Sequence, residues 1–402
     1  MRFIIWGINY APEVTGIGPC NTALCRFLHA AGHDVEMVTT FPYYPSWRKR
    51  PEDQGRLWRT DEIDGVKVHR CWHYVPARVN RWKRMVHEAT FVKTSLLRVL
   101  TLKRADCIVA VSPPLLLGPA LWLASRILGA RSVFHVQDLQ PDAALGLGML
   151  KPGLFTRLLY AIEKFSYEKA WRVSGISHGM LEAFAAKGVP KEKLVFFPNG
   201  VTLEELPVRG LFRRRHGISE TDFLAVYSGN IGIKQGLDGL VKAAAILKNP
   251  RVRVVICGDG AQREAIAAQA RDLKNITMLP LLPQEEYHEM LADTDLAVIT
   301  QQAASGRAFF PSKLLPALAA ARPILAVADE DSELSRAVRE SGCGECVLPS
   351  RPEDLAQTLK RLAESGESLA SYAKAGRHWV EQFEQETVLR KFAAEMLAMQ
   401  QG

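Results

Sequence analysis

Nine consecutive residues near the middle of the chain, Gly229-Asn230-Ile231-Gly232-Ile233-Lys234-Gln235-Gly236-Leu237, combine bare backbone with one cation. Glycines let main-chain N–H groups close on an anion, and a helix expected to start at Gln235 would add its positive end. With Lys234 as a point charge, a diphosphate is the group this cluster suits. Cys257-Gly258-Asp259-Gly260 offers further glycines where a phosphate or sugar could approach the backbone. Phe310-Pro311-Ser312-Lys313-Leu314 offers Ser312 as the N-cap of a helix running to Ala321, with the charge of Lys313 beside it. The first half has its own glycine turn, Gly16-Ile17-Gly18, preceded by Tyr10 and the carboxylate of Glu13. It also has His135 and Asp138, which can move protons or bind hydroxyls near neutral pH. Each pattern has a plainer reading: an unliganded turn, a capped surface helix, a buried histidine.

Residues of this kind act only if strands deliver them to one edge. Apolar runs alternate with helical stretches throughout, the signature of parallel α/β sheets. Strands are expected at 2–8, 35–39, 67–71, 107–111, 132–136, 172–176 and 194–197. In the second half they are expected at 223–228, 253–257, 276–279, 296–299, 324–327 and 346–348. Both glycine turns and the His135 segment then fall at strand ends. The fold class is α/β, with two Rossmann-like lobes whose parallel sheets face a central cleft. Turn chemistry at Pro198-Asn199-Gly200 places the boundary. Residues 1–200 are expected to form a basic, membrane-facing domain, 201–380 a domain that holds the diphosphate-suited turns, and 381–402 a terminal helix that packs on its own lobe or crosses back to the first. Residues 203–216 read as a linker.

The net charge of +8 is unevenly shared. Residues 1–200 hold 27 Lys and Arg against 16 Asp and Glu, a net of +11; the remainder hold 24 against 27, a net of −3. A basic half attracts phosphates, nucleic acid or an anionic membrane face. Its densest stretch, between Arg78 and Arg104, carries eight basic residues and one acid, interleaved with Trp82, Val86, Phe91 and Leu97. Such a helix either lies in lipid headgroups or buries its apolar face in the lobe. Seven cysteines fit a reducing compartment better than a disulfide framework, and Cys343-Gly344-Glu345-Cys346 has no second metal-ligating pair. No cleavable leader is expected ahead of the first strand.

Read together, the ordered motifs resemble the GT-B glycosyltransferases of family 4, and within them the colanic acid biosynthesis group, usually assigned to fucosyl transfer. They are Gly7-Ile8-Asn9-Tyr10-Ala11-Pro12-Glu13-Val14-Thr15-Gly16-Ile17-Gly18, Gly32-His33-Asp34-Val35, Pro42-Tyr43-Tyr44-Pro45, Pro198-Asn199-Gly200, Ser228-Gly229-Asn230-Ile231-Gly232, Lys234-Gln235-Gly236-Leu237 and Pro311-Ser312-Lys313-Leu314. The resemblance implies transfer, with retention and without an obligatory metal or cofactor, from a UDP- or GDP-linked sugar to a lipid-linked saccharide acceptor in exopolysaccharide synthesis. It implies a cytoplasmic enzyme, peripheral at the inner face of the membrane, with no nucleic-acid partner. His135, Asp138 and Lys234 are then the expected catalytic residues. Gly16, Ile17, Gly18, Gly229, Asn230, Lys234, Gln235, Gly258, Gly260, Ser312, Lys313 and Leu314 are expected around the donor. Tyr10, Glu13, Arg81 and Arg84 are expected around the acceptor. The family's two glutamates, eight residues apart, correspond here to Ala308 and Pro316, and its usual basic residue after the glycine is Asn230. The alternatives are a sugar-nucleotide epimerase of the same fold and a non-catalytic membrane-docking scaffold. A dinucleotide oxidoreductase fits less well, because Gly16-Ile17-Gly18-Pro19-Cys20-Asn21 lacks the third glycine.

Overall fold

A computed structural model describes residues 1–14, 16–78, 80–146, 150–247, 249–303 and 312–398. The chain folds as two compact units. The first runs from Met1 to Asn199 and takes back the chain from Glu386; the second is Gly200–Gln385.

In the first unit, strands β1 (Arg2–Gly7), β2 (Asp34–Thr40), β3 (Trp58–Ile63), β4 (Val66–Cys71), β5 (Cys107–Ser112), β6 (Arg131–Val136), β7 (Arg172–Gly175) and β8 (Leu194–Phe196) form one sheet. Its order is β3-β4-β2-β1-β5-β6-β7-β8, parallel except for the antiparallel β3–β4 pair. Strand order reverses at β1, so the crevice where open α/β sheets take ligands opens at the carboxyl ends of β1 and β5. Alternation along β1 divides the cores. Phe3 and Ile5 pack with Leu24, Leu28 and the helix Gln385–Leu397, whose Val388, Leu389, Phe392 and Met396 belong to the same cluster. On the other face the Trp6 indole donates to Ser95 Oγ at 2.9 Å on the helix Arg81–Val99.

Strand β3 escaped the sequence reading because it has no apolar run. It is an edge strand whose charged Arg59, Asp61 and Glu62 discourage further pairing. The terminal helix expected over 381–402 is Gln385–Leu397, and a 3₁₀ turn at Glu381–Phe383 separates it from the preceding helix Gly366–Val380.

The second unit is a six-stranded parallel sheet of β9 (Phe223–Ser228), β10 (Val252–Cys257), β11 (Ile276–Leu279), β12 (Leu296–Thr300), β13 (Ile324–Val327) and β14 (Gly344–Val347). Its order, β11-β10-β9-β12-β13-β14, reverses at β9. The expected linker over 203–216 is instead part of this unit. Arg213, on the helix Leu211–Arg215, is buried and donates to Ser219 O at 2.7 Å, Asp222 O at 2.8 Å and Asp295 Oδ2 at 2.6 Å. The Asp293 carboxylate accepts from the Gly210 and Arg213 amides. A buried guanidinium paired with a carboxylate is costly to break. Arg213→Met is expected to lower the stability of this unit by about 3–5 kcal/mol, measured by urea titration, because Asp295 loses its buried partner and the Ser219, Asp222 and Asp293 carbonyls lose their donor.

Candidate active site

In the second unit, the segments following β9, β10 and β12 meet at the switch point, where this sheet topology gathers ligands. The β9 and β10 loops lie backbone against backbone. Gly229 N donates to Cys257 O at 2.9 Å, Ile231 N to Asp259 O at 2.8 Å and Gln262 N to Ile231 O at 2.9 Å. A Cβ on Gly258 would stand 1.9 Å from the Gly229 carbonyl oxygen, and the φ of Gly258 is +142°. Glycine is therefore required at 258 by the neighbouring loop, before any ligand is considered. Gly260 meets the same demand from the Ile231 carbonyl.

Lys313 crosses this pair of loops. Its side chain occupies the space that a Cβ on Gly229 would need. Its ammonium donates to the Tyr227 phenol oxygen and lies over that ring, 4.0 Å from the centroid. Tyr227 donates its own proton to Asn230 O at 2.6 Å, which leaves a lone pair facing Lys313. Tyr227 thus aims the lysine, a role the sequence reading missed because a tyrosine on a buried strand looks like core. No carboxylate among the described residues pairs with Lys313, and burial pulls its pKa down to about 7. An anion arriving here would restore the charge.

Lys234 sits on a single 3₁₀ turn, Ile233–Gln235, whose carbonyl at Lys234 accepts from Gln302 N of the β12 loop at 2.8 Å. The helix does not begin at Gln235. Gly236 turns left-handed at φ +57°, and the helix is Asp238–Ile246. Gln235 spends its Oε1 on the loop, accepting from Gly232 N at 3.1 Å and from the exposed Asn230 amide at 3.4 Å. Ser312 is not the N-cap it was expected to be: the short helix Leu314–Ala319 is preceded by Lys313, without a side-chain cap, and Ser312 is exposed. Leu314 is buried in the lobe. Pro316 lies within that helix and offers no carboxylate. Thr15, Ala308, Phe310 and Pro311 lie outside the described residues, as does the side chain of Arg81.

The first unit corrects several assignments. Tyr10, expected at the acceptor, is 0 % exposed and packs in the core with Leu24 and Val35. The Glu13 carboxylate is buried and fully engaged. It accepts from Asn9 Nδ2 at 2.8 Å and from the Tyr43 and Tyr44 amides at 2.9 and 2.8 Å, clamping the segment after β2 to the segment after β1. Gly18 opens the helix Gly18–Ala30, close against Glu13 O; Ile17 is its N-cap, and Gly16 turns at φ +68°. Gly18 serves that close approach, and Gly16 the left-handed turn before it.

His135 is 2 % exposed, with both ring nitrogens occupied. Gln137 Nε2 donates to Nε2 at 2.8 Å, so Nδ1 carries the hydrogen and donates to Ser174 Oγ at 2.9 Å. Burial pushes its pKa down to about 3. It is a neutral scaffold residue without a transferable proton, and it orients Gln137, which exchanges two bonds with Asn199. Asp138, next along and half-buried, remains a carboxylate at the strand end. Burial disfavours the Arg84 charge, but Glu88, at 3.1 Å, and Asp138 outweigh it, so Arg84 stays cationic near Asp138. The described residues contain no cluster of metal-ligating side chains.

Two glycine loops and a lysine gathered at the carboxyl edge of a doubly wound parallel sheet stand where enzymes of this architecture take their ligands. The sequence comparisons agree. Residues 15–200 match the family described as "Glycosyl transferase 4-like domain", and residues 208–379 match "Glycosyl transferases group 1". The chain is 31% identical over 98% of both lengths to the "Putative colanic acid biosynthesis glycosyl transferase WcaI" of Escherichia coli (strain K12). In structure it is similar to sucrose-phosphate synthase from Thermosynechococcus elongatus, with a TM-score of 0.78, 16% identity, and coverage of 99% of this chain and 98% of that one. Anabaena HepE in complex with UDP-glucose gives a TM-score of 0.71 and 15% identity over 99% and 100% of the two chains. The chain belongs to the family 4 glycosyltransferases of the GT-B fold.

The Lys313 ammonium generates a pH prediction. In the free protein it loses its proton near pH 7, whereas an exposed lysine holds it to about 10.4. Binding a diphosphate diester, whose own charge is constant above pH 7, must therefore take up a proton. Affinity is expected to fall about tenfold per pH unit from pH 7 to the bound-state pKa. Calorimetry in two buffers of different ionisation enthalpy measures the uptake. A dissociation constant flat between pH 7 and 9 would place Lys313 away from the phosphates.

Proposed function

We propose that the enzyme transfers a sugar from a UDP- or GDP-linked donor to a lipid-linked saccharide in cell-surface polysaccharide synthesis, with retention of anomeric configuration. The observation that carries this reading is Lys313, paired with no carboxylate among the described residues and seated on the Gly229 turn beside Asn230, where the family's usual basic side chain is missing. It supplies from another segment the charge that position 230 lacks. The relationship to WcaI supports the polysaccharide setting, and the UDP-glucose held by HepE supports the donor class.

In this mechanism the bond from the anomeric carbon to the diphosphate breaks, and a bond to the acceptor oxygen forms on the same face. The acceptor proton passes to the departing diphosphate. Negative charge grows on the diphosphate, beside which this reading sets Lys234 and Lys313, the latter held in place by Tyr227. Preorganised charge of this kind is usually the largest catalytic contribution. With two ammonium groups, the leaving diphosphate does not require a metal.

Lys234→Ala is expected to lower kcat by ~10²-fold or more, with a smaller change in donor affinity. Steady-state kinetics on a membrane-lipid acceptor extract measures it, and near-normal turnover would remove Lys234 from the leaving-group site. The reaction class is tested by incubating the protein with labelled UDP- and GDP-sugars with and without the extract. Label is expected in lipid only when the extract is present. Conversion of the donor without acceptor would instead identify an epimerase.

A further inference from the structure

The sequence singles out one basic helix, but the structure shows three helices side by side with a shared outer surface. Of eighteen exposed large hydrophobic side chains among the described residues, nine lie on the helices Arg81–Val99, Leu117–Leu128 and Leu154–Lys169 of the first unit. Such a concentration is not the scattered exposure expected of any protein surface.

Each helix is apolar on two sides. Arg81–Val99 buries Phe91 and Val99 inward while Trp82, Val86 and Leu97, at helical spacing, face out. Leu117–Leu128 buries Leu117, Leu121 and Leu128, and exposes Trp122, Leu123 and Ile127. Leu154–Lys169 presents Leu154, which is 83 % exposed, with Phe155 and Leu158. The rings join the helices into one surface. Trp82, 60 % exposed, lies 6.2 Å from Phe155, and Trp122 lies 5.4 Å from Phe165.

Charge decides the occupant. Lys83, Lys93, Arg126, Arg157, Lys164 and Lys169 are exposed on the same three helices, and the exposed acid among them is Glu168. The cores of protein–protein interfaces are depleted of lysine. Tryptophan and leucine interspersed with long cationic side chains fit the headgroup boundary of an anionic bilayer, where the stems of Lys and Arg snorkel toward phosphate. No helix among the described residues is long and apolar enough to cross a membrane.

We propose that this three-helix face docks on an anionic lipid bilayer, with Trp82, Phe155 and Leu154 entering the headgroup region. The proposal deepens the function above and rests on its lipid-linked acceptor, for which it names the surface; its test is independent of catalysis. The full chain is expected to sediment with vesicles of phosphatidylglycerol and phosphatidylethanolamine, and to remain in solution with phosphatidylcholine alone. The triple variant Trp82→Ser, Leu154→Ser, Leu158→Ser is expected to lower partitioning at least ~10-fold with an unchanged melting temperature, since the replaced side chains are exposed. Arg126→Glu with Arg157→Glu should weaken binding to the anionic vesicles in the same assay. The proposal is overturned if the wild type ignores anionic vesicles or if the triple variant binds them equally. It is also overturned if sedimentation equilibrium shows a wild-type dimer that the triple variant dissolves, which would make the face a self-interface. Donor binding, followed by thermal shift without vesicles, reports separately on the catalytic reading.

Discussion

The second unit depends on one close approach, the Gly258 Cα against the Gly229 carbonyl. It brings the loops after two neighbouring strands within hydrogen-bonding distance along their backbones, leaving no room for a side chain at Gly258 or Gly260. The same closeness makes the gap beside Gly229 that Lys313 fills. Glycine here serves packing first. By holding the loops together it turns separate strand ends into a continuous lining, with a lysine laid across it. The cost is a half-buried ammonium that no carboxylate among the described residues neutralises.

Buried polar groups in the first unit do the opposite work. Glu13 and His135 have the chemistry of catalytic residues and none of the access. Glu13 spends both oxygens on three N–H donors, and His135 spends both nitrogens on Gln137 and Ser174. Satisfied in this way they fix the segments that follow β1, β2 and β6, near which Glu88 and Asp138 keep the Arg84 guanidinium cationic. The outer helices complete the division of labour. Their inner faces build the core, and their outer faces carry apolar and basic side chains that the fold itself does not need.

Strands are more legible in the sequence than the work of the polar residues they carry. Among the described residues thirteen of fourteen strands read as apolar runs, because a parallel strand buried on both faces needs them. The exception, β3, sits at an edge where charge is an advantage. Arg213 misled in the other direction. A run of arginines after a glycine reads as a linker until Asp293 and Asp295, about eighty residues on, are seen to enclose one of them.

The amino-acid sequence by itself determined the two α/β sheets, the glycine turns at their strand ends, the lysines beside them and the excess of positive charge in the first half. Those features are local: periodicity, turn chemistry and composition act within a few residues. Tertiary structure alone decided which polar groups are spent and which remain for chemistry. Whether Glu13 meets substrate or the Tyr43 amide, and whether Gly258 spares room for phosphate or for Gly229, depends on segments distant in the chain. So does the joining of three separate apolar stripes into one face. Hydrogen-bond satisfaction and steric exclusion are properties of neighbours in space, which a linear chain does not record.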